Sequence, residues 1–314
     1  MVIFEFAEIV TAKTRFLTPR LRVPENPTVR LMSKLVVGCG YLGMRVARLW
    51  AEQGARVFTL TRSARRATSL REAGFEPLVG DVTVPGSLGR LPRVDTVLYA
   101  VGFDRAAGKP MREVYVTGLS RLLDALPTTR LPRIIYISST GVYGQTDGGW
   151  VDEDSATCPR REGGRVCLEA EGVLRAARLG RSAIVLRLAG LYGPGRIPRR
   201  DVLAAGQPIA ADPDVWLNLI HVDDAACIVA LAARRAPLAR TYTVTDGRPA
   251  KRREFYETLS RLIGVSPPRF EPGLHRRGGG SNRRVSNRRL MRELAPRLRY
   301  PSFRVGLAEI VGQA

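Results

Sequence analysis

The sequence is poor in the residues that hold metal ions and disulfides. It has only two histidines and four cysteines, Cys39, Cys158, Cys167 and Cys227, none of which forms a C-x-x-C pair. We therefore expect no zinc site, since such sites need clustered Cys and His ligands. The cysteine spacing suggests no disulfide framework, so we expect a protein of the reducing cytoplasm.

Long hydrophobic runs are also missing. No uncharged apolar run reaches the roughly 20 residues that a membrane-spanning helix needs, so we expect no membrane association. The first ten residues are apolar but include Glu5 and Glu8, unlike a secretory signal or an acid-poor transit peptide. Because Met32 begins a segment that looks like a natural start, we expect residues 1–31 to be a disordered extension or a misassigned start.

Positive charge is abundant. Lys and Arg together outnumber Asp and Glu by 50 to 29, which gives a formal net charge of +21. Residues 248–304 alone hold 16 basic and four acidic residues, a net charge of +12. This density fits a solvated basic surface, a site for a phosphorylated ligand or a nucleic-acid surface. Few aromatic residues lie among these arginines, which argues against a base-stacking platform for nucleic acid.

Short apolar runs alternate with amphipathic helical patterns between Lys34 and Arg187. Strands are predicted at residues 34–37, 56–60, 77–79, 96–100, 133–138 and 183–188. Most are continuous apolar runs, as expected of strands buried on both faces of a parallel sheet. Amphipathic segments between them can cover both faces. This order predicts an α/β fold with a doubly wound parallel sheet of the Rossmann type.

The pattern loosens after Gly190. We expect the Rossmann domain to span residues 32–190 and a smaller C-terminal α/β lobe to span residues 191–314, with about 221–245 packing back on the Rossmann domain. Helices are predicted over about 224–234, with Asp223 or Asp224 as the N-cap, and over about 251–263. The glycine-rich segment 278–281 predicts a flexible turn or loop.

A G-x-G-x-x-G motif follows the first predicted strand and opens an amphipathic helix, which is the context that a dinucleotide site requires. Its residues are Gly38, Cys39, Gly40, Tyr41, Leu42 and Gly43. Gly38 permits a tight turn, Gly40 lets the backbone approach a pyrophosphate, and Gly43 allows close packing of helix on strand. The motif therefore predicts dinucleotide binding.

The end of the second strand bears on which dinucleotide is bound. NAD sites usually place Asp or Glu there, whereas this chain has Thr61 and Arg62. Arginine can hold a ribose 2′-phosphate, so we expect NADP in preference to NAD. The alternative is that Arg62, with Arg65 and Arg66, forms only the exposed start of a helix.

The third and fourth strands end in further candidate residues. Asp81 is expected near the adenine. Ala100, Val101 and Gly102 are small enough to let a cofactor lie flat. All four are equally compatible with ordinary turns.

From Met32 to about Ile310 the chain resembles the NAD-dependent epimerase/dehydratase family of the extended short-chain dehydrogenase/reductase superfamily. Three motifs carry the resemblance. They are ISSTGVYG at 137–144, LRLAGLYGPG at 186–195 and IHVDDA at 220–225. The form of the glycine motif and the tail at 281–287 and 300–304 are similar to an atypical, YeeZ-like branch of the family.

The resemblance implies hydride transfer between the nicotinamide and a carbonyl/alcohol pair. A Ser or Thr on the fifth strand would bond the reacting oxygen, and its spacing to Tyr143 identifies it as Ser139. The family's proton carrier is the Tyr of Y-x-x-x-K. When the motif is aligned on Glu171, Gly163 and Cys167 stand at the Tyr and Lys positions, and no Y-x-x-x-K occurs elsewhere.

Other groups are weaker candidates for the role of proton carrier or for another catalytic role. Tyr143 is the second catalytic candidate, followed by Tyr192 and His221, although packing or structural hydrogen bonds are the commoner use of such residues. Cys167 is expected to be a small core residue. Arg165 is compatible with holding an anionic substrate or with a solvated helix face.

Two hypotheses follow for function. The first is an oxidoreductase or epimerase that acts on a carbonyl/alcohol pair, for instance of a nucleotide sugar or a phosphorylated metabolite, so that its partner is a small anionic molecule. The second is a non-catalytic sensor of NADP(H), which the missing Tyr and Lys favour. Helices at 111–126 and 161–179 correspond to the pair that often builds a homodimer in this family, which is an argument by analogy.

Overall fold

The computed structural model describes residues 32–127, 131–271 and 281–312. The predicted extension at 1–31 and most of the predicted loop at 278–281 lie outside these residues. The elements in chain order are β1 (Ser33–Val37), α1 (Gly43–Glu52), β2 (Arg56–Thr61), α2 (Ala64–Glu72), β3 (Glu76–Val79), β4 (Thr96–Tyr99), α3 (Gly118–Ala125), β5 (Arg133–Ser139), β6 (Trp150–Val151), α4 (Glu162–Ala176), β7 (Ile184–Leu188), β8 (Gly190–Tyr192), α5 (Arg200–Ala204), β9 (Trp216–Leu217), β10 (Leu219–His221), α6 (Val222–Arg235), β11 (Arg240–Val244), β12 (Ala250–Lys251), α7 (Arg252–Leu262), β13 (Arg284–Val285), α8 (Arg288–Leu294) and α9 (Phe303–Gly312).

A seven-stranded sheet in the order β11-β7-β5-β4-β1-β2-β3 forms the centre. Every neighbouring pair is parallel, so the predicted doubly wound α/β fold is confirmed. The six predicted strands agree with the structure to within one residue at each end. The strand β11 was missed because its sequence, RTYTV, alternates polar and apolar residues as an edge strand does, rather than forming a continuous apolar run.

Both faces of the sheet are buried. In β1, Val36 packs in one apolar cluster with α1 and α6, while Leu35 and Val37 pack in another with α3 and α4. Alternate side chains of a strand point to opposite faces, so a continuous apolar run meets helices on both sides. A third cluster, built around Phe255, Tyr256 and Phe303, forms the core of the C-terminal lobe.

The helix α6 begins differently from the prediction. Its N-cap is His221, whose Nδ1 accepts the backbone N–H of Asp223 at 3.3 Å, so neither Asp223 nor Asp224 caps it. The carboxylate of Asp224 is instead buried and accepts the backbone N–H groups of Arg299 and Tyr300 at 2.8 and 2.9 Å. Asp224 therefore fastens the C-terminal tail to α6.

A π-helical turn, Glu113–Thr117, precedes α3. The hydroxyl of Tyr99 donates a hydrogen bond to the carbonyl of Val114 at 2.8 Å. In an α-helix that carbonyl would accept the N–H of Gly118, which bonds Glu113 instead. The predicted helix at 111–126 is therefore interrupted, because a side chain of the sheet takes one of its carbonyls.

A buried ion pair joins α4 to the sheet. The carboxylate of Glu171, on α4, is fully buried and receives two hydrogen bonds from the guanidinium of Arg187 on β7, at 3.0 and 2.8 Å. Ser138, on β5, donates a third at 2.7 Å. Burial opposes ionisation of Glu171, but the hydrogen bonds and charge of Arg187 outweigh it and lower the pKa of the carboxyl. One carboxylate thus fixes a helix to two strands.

Replacing Glu171 with Ala is expected to destabilise the protein by about 3–5 kcal/mol, because it leaves the buried Arg187 without a counter-ion. The matched control is Glu169→Ala on the same helix, which removes an exposed ion pair with Arg112 and should cost no more than about 1 kcal/mol. Urea unfolding measures both values. Equal losses for the two variants would contradict the structural role of Glu171.

The same ion pair makes stability depend on pH. The folded-state pKa of Glu171 is lowered, so its contribution is present above the unfolded pKa and is lost as the pH falls through the folded one. The difference in unfolding free energy between the native chain and Glu171→Gln should therefore shrink on acidification. A difference that stays constant down to low pH would show that the Glu171 charge does not contribute.

Candidate cofactor and substrate site

The glycine motif forms a tight turn between β1 and α1. Gly38 has a φ of +93°, and a Cβ there would lie 2.5 Å from the carbonyl oxygen of Ala100. A Cβ on Gly43 would lie 2.2 Å from the carbonyl oxygen of Gly38, whereas one on Gly40 would meet nothing within 4 Å. Gly38 and Gly43 are thus required by packing, while Gly40 faces open space at the N-terminus of α1.

A cavity of about 390 Å³ opens beside this turn. It is lined by most of the residues predicted for the cofactor, namely Gly38, Cys39, Gly40, Thr61, Arg62, Asp81, Val101 and Gly102. Four predicted residues do not line it, and one of them is Gly43, which packs against Gly38. Ala100 packs against Gly38, Leu42 is buried in the core, and the hydroxyl of Tyr41 donates a hydrogen bond to the carbonyl of Pro194 at 3.1 Å.

Two charged side chains face each other at the mouth of this cavity. Arg62, at the end of β2, lies 3.3 Å from the carboxylate of Asp104 in the segment after β4, and both are about half exposed. Asp81 accepts the backbone N–H and the hydroxyl of Thr83, both at 2.8 Å. Asp104 could not be predicted from the sequence, because it is 42 residues from Arg62 and belongs to no motif.

Ser139 ends β5 on a short 3₁₀ turn, Thr140–Val142. Its Oγ accepts the N–H of Gly141 at 3.0 Å, which leaves the hydroxyl hydrogen free to donate. Since β5 lies beside β4 in the sheet, Ser139 ends on the same edge as the residues that line the cavity. A hydroxyl held in this way can donate to a substrate oxygen.

The positions of the family's Tyr and Lys are adjacent to this turn but carry no proton donor. A Cβ on Gly163 would meet only the Sδ of Met111, at 3.6 Å, whereas one on Gly164 would lie 2.1 Å from the carbonyl oxygen of Gly141. Cys167 is buried, and burial raises the pKa of its thiol to about 11. The expectation that Cys167 is a core residue is confirmed.

The other proton-carrier candidates are also buried. Tyr143 is 1% exposed and accepts a hydrogen bond from Arg187 at 2.9 Å, and burial raises its pKa to about 12. Tyr192 and His221 are both fully buried. His221 caps α6, and its burial lowers its pKa. This geometry corrects the weaker expectation for Tyr143, because its phenol is enclosed and bonded to the ion pair that holds α4.

Part of the charge in residues 248–304 is paired. Arg253, Arg289 and Arg304 contact Asp214, Asp154 and Glu254 respectively, and Arg299 contacts Glu309. The side chains of Arg253, Arg299 and Arg304 are about half exposed or more, which is compatible with the solvated surface among the three alternatives. Arg165, a predicted anion contact, is exposed and donates to the carbonyl of Arg160 at 2.9 Å.

Within residues 32–127, 131–271 and 281–312, no helix combines the length and the apolar character that crossing a membrane demands. The same residues contain no group of three or more His, Cys, Asp or Glu side chains arranged to hold a metal ion.

Comparison with known proteins agrees with this geometry. A profile of the NAD dependent epimerase/dehydratase family matches residues 34–244, which is more than half of the chain. The chain belongs to this family. It is 31% identical over 274 residues to Protein YeeZ of Escherichia coli (strain K12), in an alignment that covers 85% of this chain and 95% of YeeZ.

Solved structures extend the comparison. A conserved protein of unknown function from Silicibacter pomeroyi superimposes with a TM-score of 0.73 and 29% identity, over 90% of this chain and 99% of that one. UDP-glucuronic acid 4-epimerase from Bacillus cereus, in complex with UDP-glucuronic acid and NAD, gives a TM-score of 0.76 at 18% identity, over 90% of this chain and 99% of its own. At that identity the likeness shows the shared fold alone.

Two glycines of the motif are expected to respond differently to Ala. Gly40→Ala should leave the unfolding temperature near that of the native chain, since its Cβ meets no atom, but should weaken NAD(P)H binding about tenfold or more by blocking the approach of the pyrophosphate. Gly43→Ala should lose about 1–3 kcal/mol of stability through overpacking. Thermal unfolding and calorimetric titration separate the two effects, and unchanged binding by Gly40→Ala would contradict this assignment.

Proposed function

We propose that this protein is a cytoplasmic NADP(H)-dependent oxidoreductase or epimerase that acts on a carbonyl/alcohol pair of a small anionic metabolite. The supporting observation is the conjunction of an open dinucleotide cavity with a hydroxyl held at the end of β5. We further propose that residues 32–190 form the cofactor domain and 191–314 the substrate lobe, with about 221–245 packing on the cofactor domain, and that the pyrophosphate rests on Gly38, Gly40 and the N-terminus of α1.

The preference for NADP rests on Arg62. Its guanidinium stands at the end of β2, at the mouth of the cavity, where it is free enough to exchange its exposed contact with Asp104 for a phosphate. A second guanidinium, that of Arg66, reaches the carbonyl of Cys39 at 3.5 Å. Two arginines on one side of the cavity favour a ligand that carries an extra phosphate.

Arg62→Asp is expected to reverse the preference, lowering NADPH affinity about tenfold or more relative to NADH, because a charge-assisted contact is replaced by repulsion. The matched control is Arg71→Asp, an equal change of charge in the last turn of α2. Calorimetric titration of each variant with both nucleotides gives the ratio of NADPH to NADH affinity. An affinity ratio that does not change in Arg62→Asp would contradict the proposed role of Arg62 in NADP binding.

Ser139 is proposed to position the reacting oxygen of the substrate. The bound nicotinamide supplies the hydride acceptor or donor, while the Ser139 hydroxyl donates a hydrogen bond to the oxygen on which charge develops. The loss of one such donor costs about 100-fold in turnover. The lateral spacing of β4 and β5 brings this hydroxyl to the cofactor edge of the sheet.

Turnover across a panel of carbonyl metabolites and nucleotide sugars tests this function. We expect substrate-dependent oxidation of NADPH by the native chain, and about 100-fold slower turnover by Ser139→Ala with unchanged NADPH affinity. Equal turnover by native chain and Ser139→Ala would rule out the role of this hydroxyl.

The second candidate function is a non-catalytic redox sensor, and one observation favours it. At the positions of the Tyr and Lys, the structure has a glycine and a buried thiol whose pKa is raised, so the usual proton relay has no counterpart there. A sensor would bind NADPH tightly, turn over no member of the panel, and differ in proteolytic pattern between its NADPH-bound and NADP-bound states.

A further inference from the structure

Among the residues that the structure describes, no Asp or Glu forms an ion pair with the buried Arg283. Arg283 is only 7% exposed, and its Nη2 donates a hydrogen bond to the carbonyl oxygen of Thr140 at 2.6 Å. Its Nε and Nη1 are buried and find no hydrogen-bond partner in the part of the chain that the structure describes. A buried charge without a partner costs free energy, so such a group calls for an explanation.

The place of Arg283 suggests that explanation. Thr140 follows Ser139 directly, and Gly141, the next residue, packs against Gly164 in the first turn of α4. Arg283 therefore lies at the junction of the Ser139 turn and the N-terminal end of α4. It is held there by the pairing of β13 with β6 and by Asn218, which bonds the carbonyl of Arg283 and the N–H of Val285 at 2.9 and 2.7 Å.

A second positive group acts on the same junction. Arg161, the exposed N-cap residue of α4, provides no side-chain cap for this 15-residue helix, and the first N–H groups of a helix have no partner within it. Burial, together with the charge of Arg161, lowers the pKa of Arg283 to about 10.

The first turn of α4 carries no side chain at the position that a Tyr would occupy. A Cβ on Gly163 would touch only the Sδ of Met111 at 3.6 Å, and the next residue, Gly164, packs against Gly141 of the Ser139 turn. A phosphate group held between this helix turn and Arg283 would neutralise the unpaired guanidinium and accept the helix N–H groups together.

We propose that the junction of Arg283, Arg161 and the N-terminal turn of α4 binds a phosphate group of the substrate. The proposal rests on the proposed function, since it places that phosphate beside the hydroxyl of Ser139. It limits the substrate to phosphorylated carbonyl or alcohol compounds whose phosphate lies within a few bonds of the reacting carbon.

Thermal unfolding of the full chain in inorganic phosphate tests the proposal. Sodium chloride at matched ionic strength controls for screening, and acetate serves as the carboxylate comparator. At a phosphate concentration near ten times the dissociation constant, we expect the midpoint temperature of unfolding to rise by about 3 °C. We expect no rise in chloride and a smaller rise in acetate. Arg283→Met should abolish the phosphate-dependent rise, while Arg181→Gln, an exposed arginine in the turn before β7, should retain it.

A second variant covers the case in which Arg283→Met does not fold. Gly163→Leu places a bulky side chain in the first turn of α4 and keeps every arginine, and it should also abolish the rise. A phosphate effect that survives both substitutions, or an equal effect of acetate, would overturn the proposal. NADPH titration of the same samples distinguishes failure of this proposal from failure of the proposed function. If NADPH binds but phosphate has no effect on the unfolding temperature, only the phosphate subsite is contradicted. If NADPH does not bind, the proposed function itself is contradicted.

Discussion

The ion pair between Glu171 and Arg187 determines the geometry on which the candidate site depends. It is buried, bidentate and bonded to Ser138 and Tyr143, so it ties α4 to β5 and β7 at one point. The N-terminal turn of α4 then meets the turn that follows Ser139, and glycines at 141 and 164 allow the backbones to approach. An uncharged helix face could slide along the sheet, whereas a carboxylate with three fixed donors cannot.

The fold could be predicted from the sequence because its signals are local. Continuous apolar runs identified six central strands, and a glycine motif between a strand and a helix identified a tight turn, where Gly38 and Gly43 have the close backbone contacts that the motif predicts. The features that escaped prediction depend on contacts across the chain. Asp104 meets Arg62 only when β2 and the segment after β4 are side by side, and His221 caps α6 because Asp224 is occupied by the tail.

The positions of charged side chains also could not be predicted from the sequence. The arginine-rich segment from 248 to 304 looks uniform in sequence, yet in the structure some of its members pair with Asp or Glu of other elements, while Arg283 is buried. The sequence does not distinguish Arg283 from its neighbour Arg284, which lies over the rings of Trp150 and Trp216 instead. Arg283 directly precedes β13 and is buried, as is Val285 two residues further on.

The central claim is that the open turn at Gly40 is a working dinucleotide site. Titration of the purified chain with NADPH and NADH, followed by the fluorescence of the nicotinamide, tests it most directly. The account predicts saturable enhancement at one site per chain, with NADPH bound more tightly than NADH. Absence of any change with either nucleotide would contradict it, and would mean that this family member has kept the fold without the cofactor.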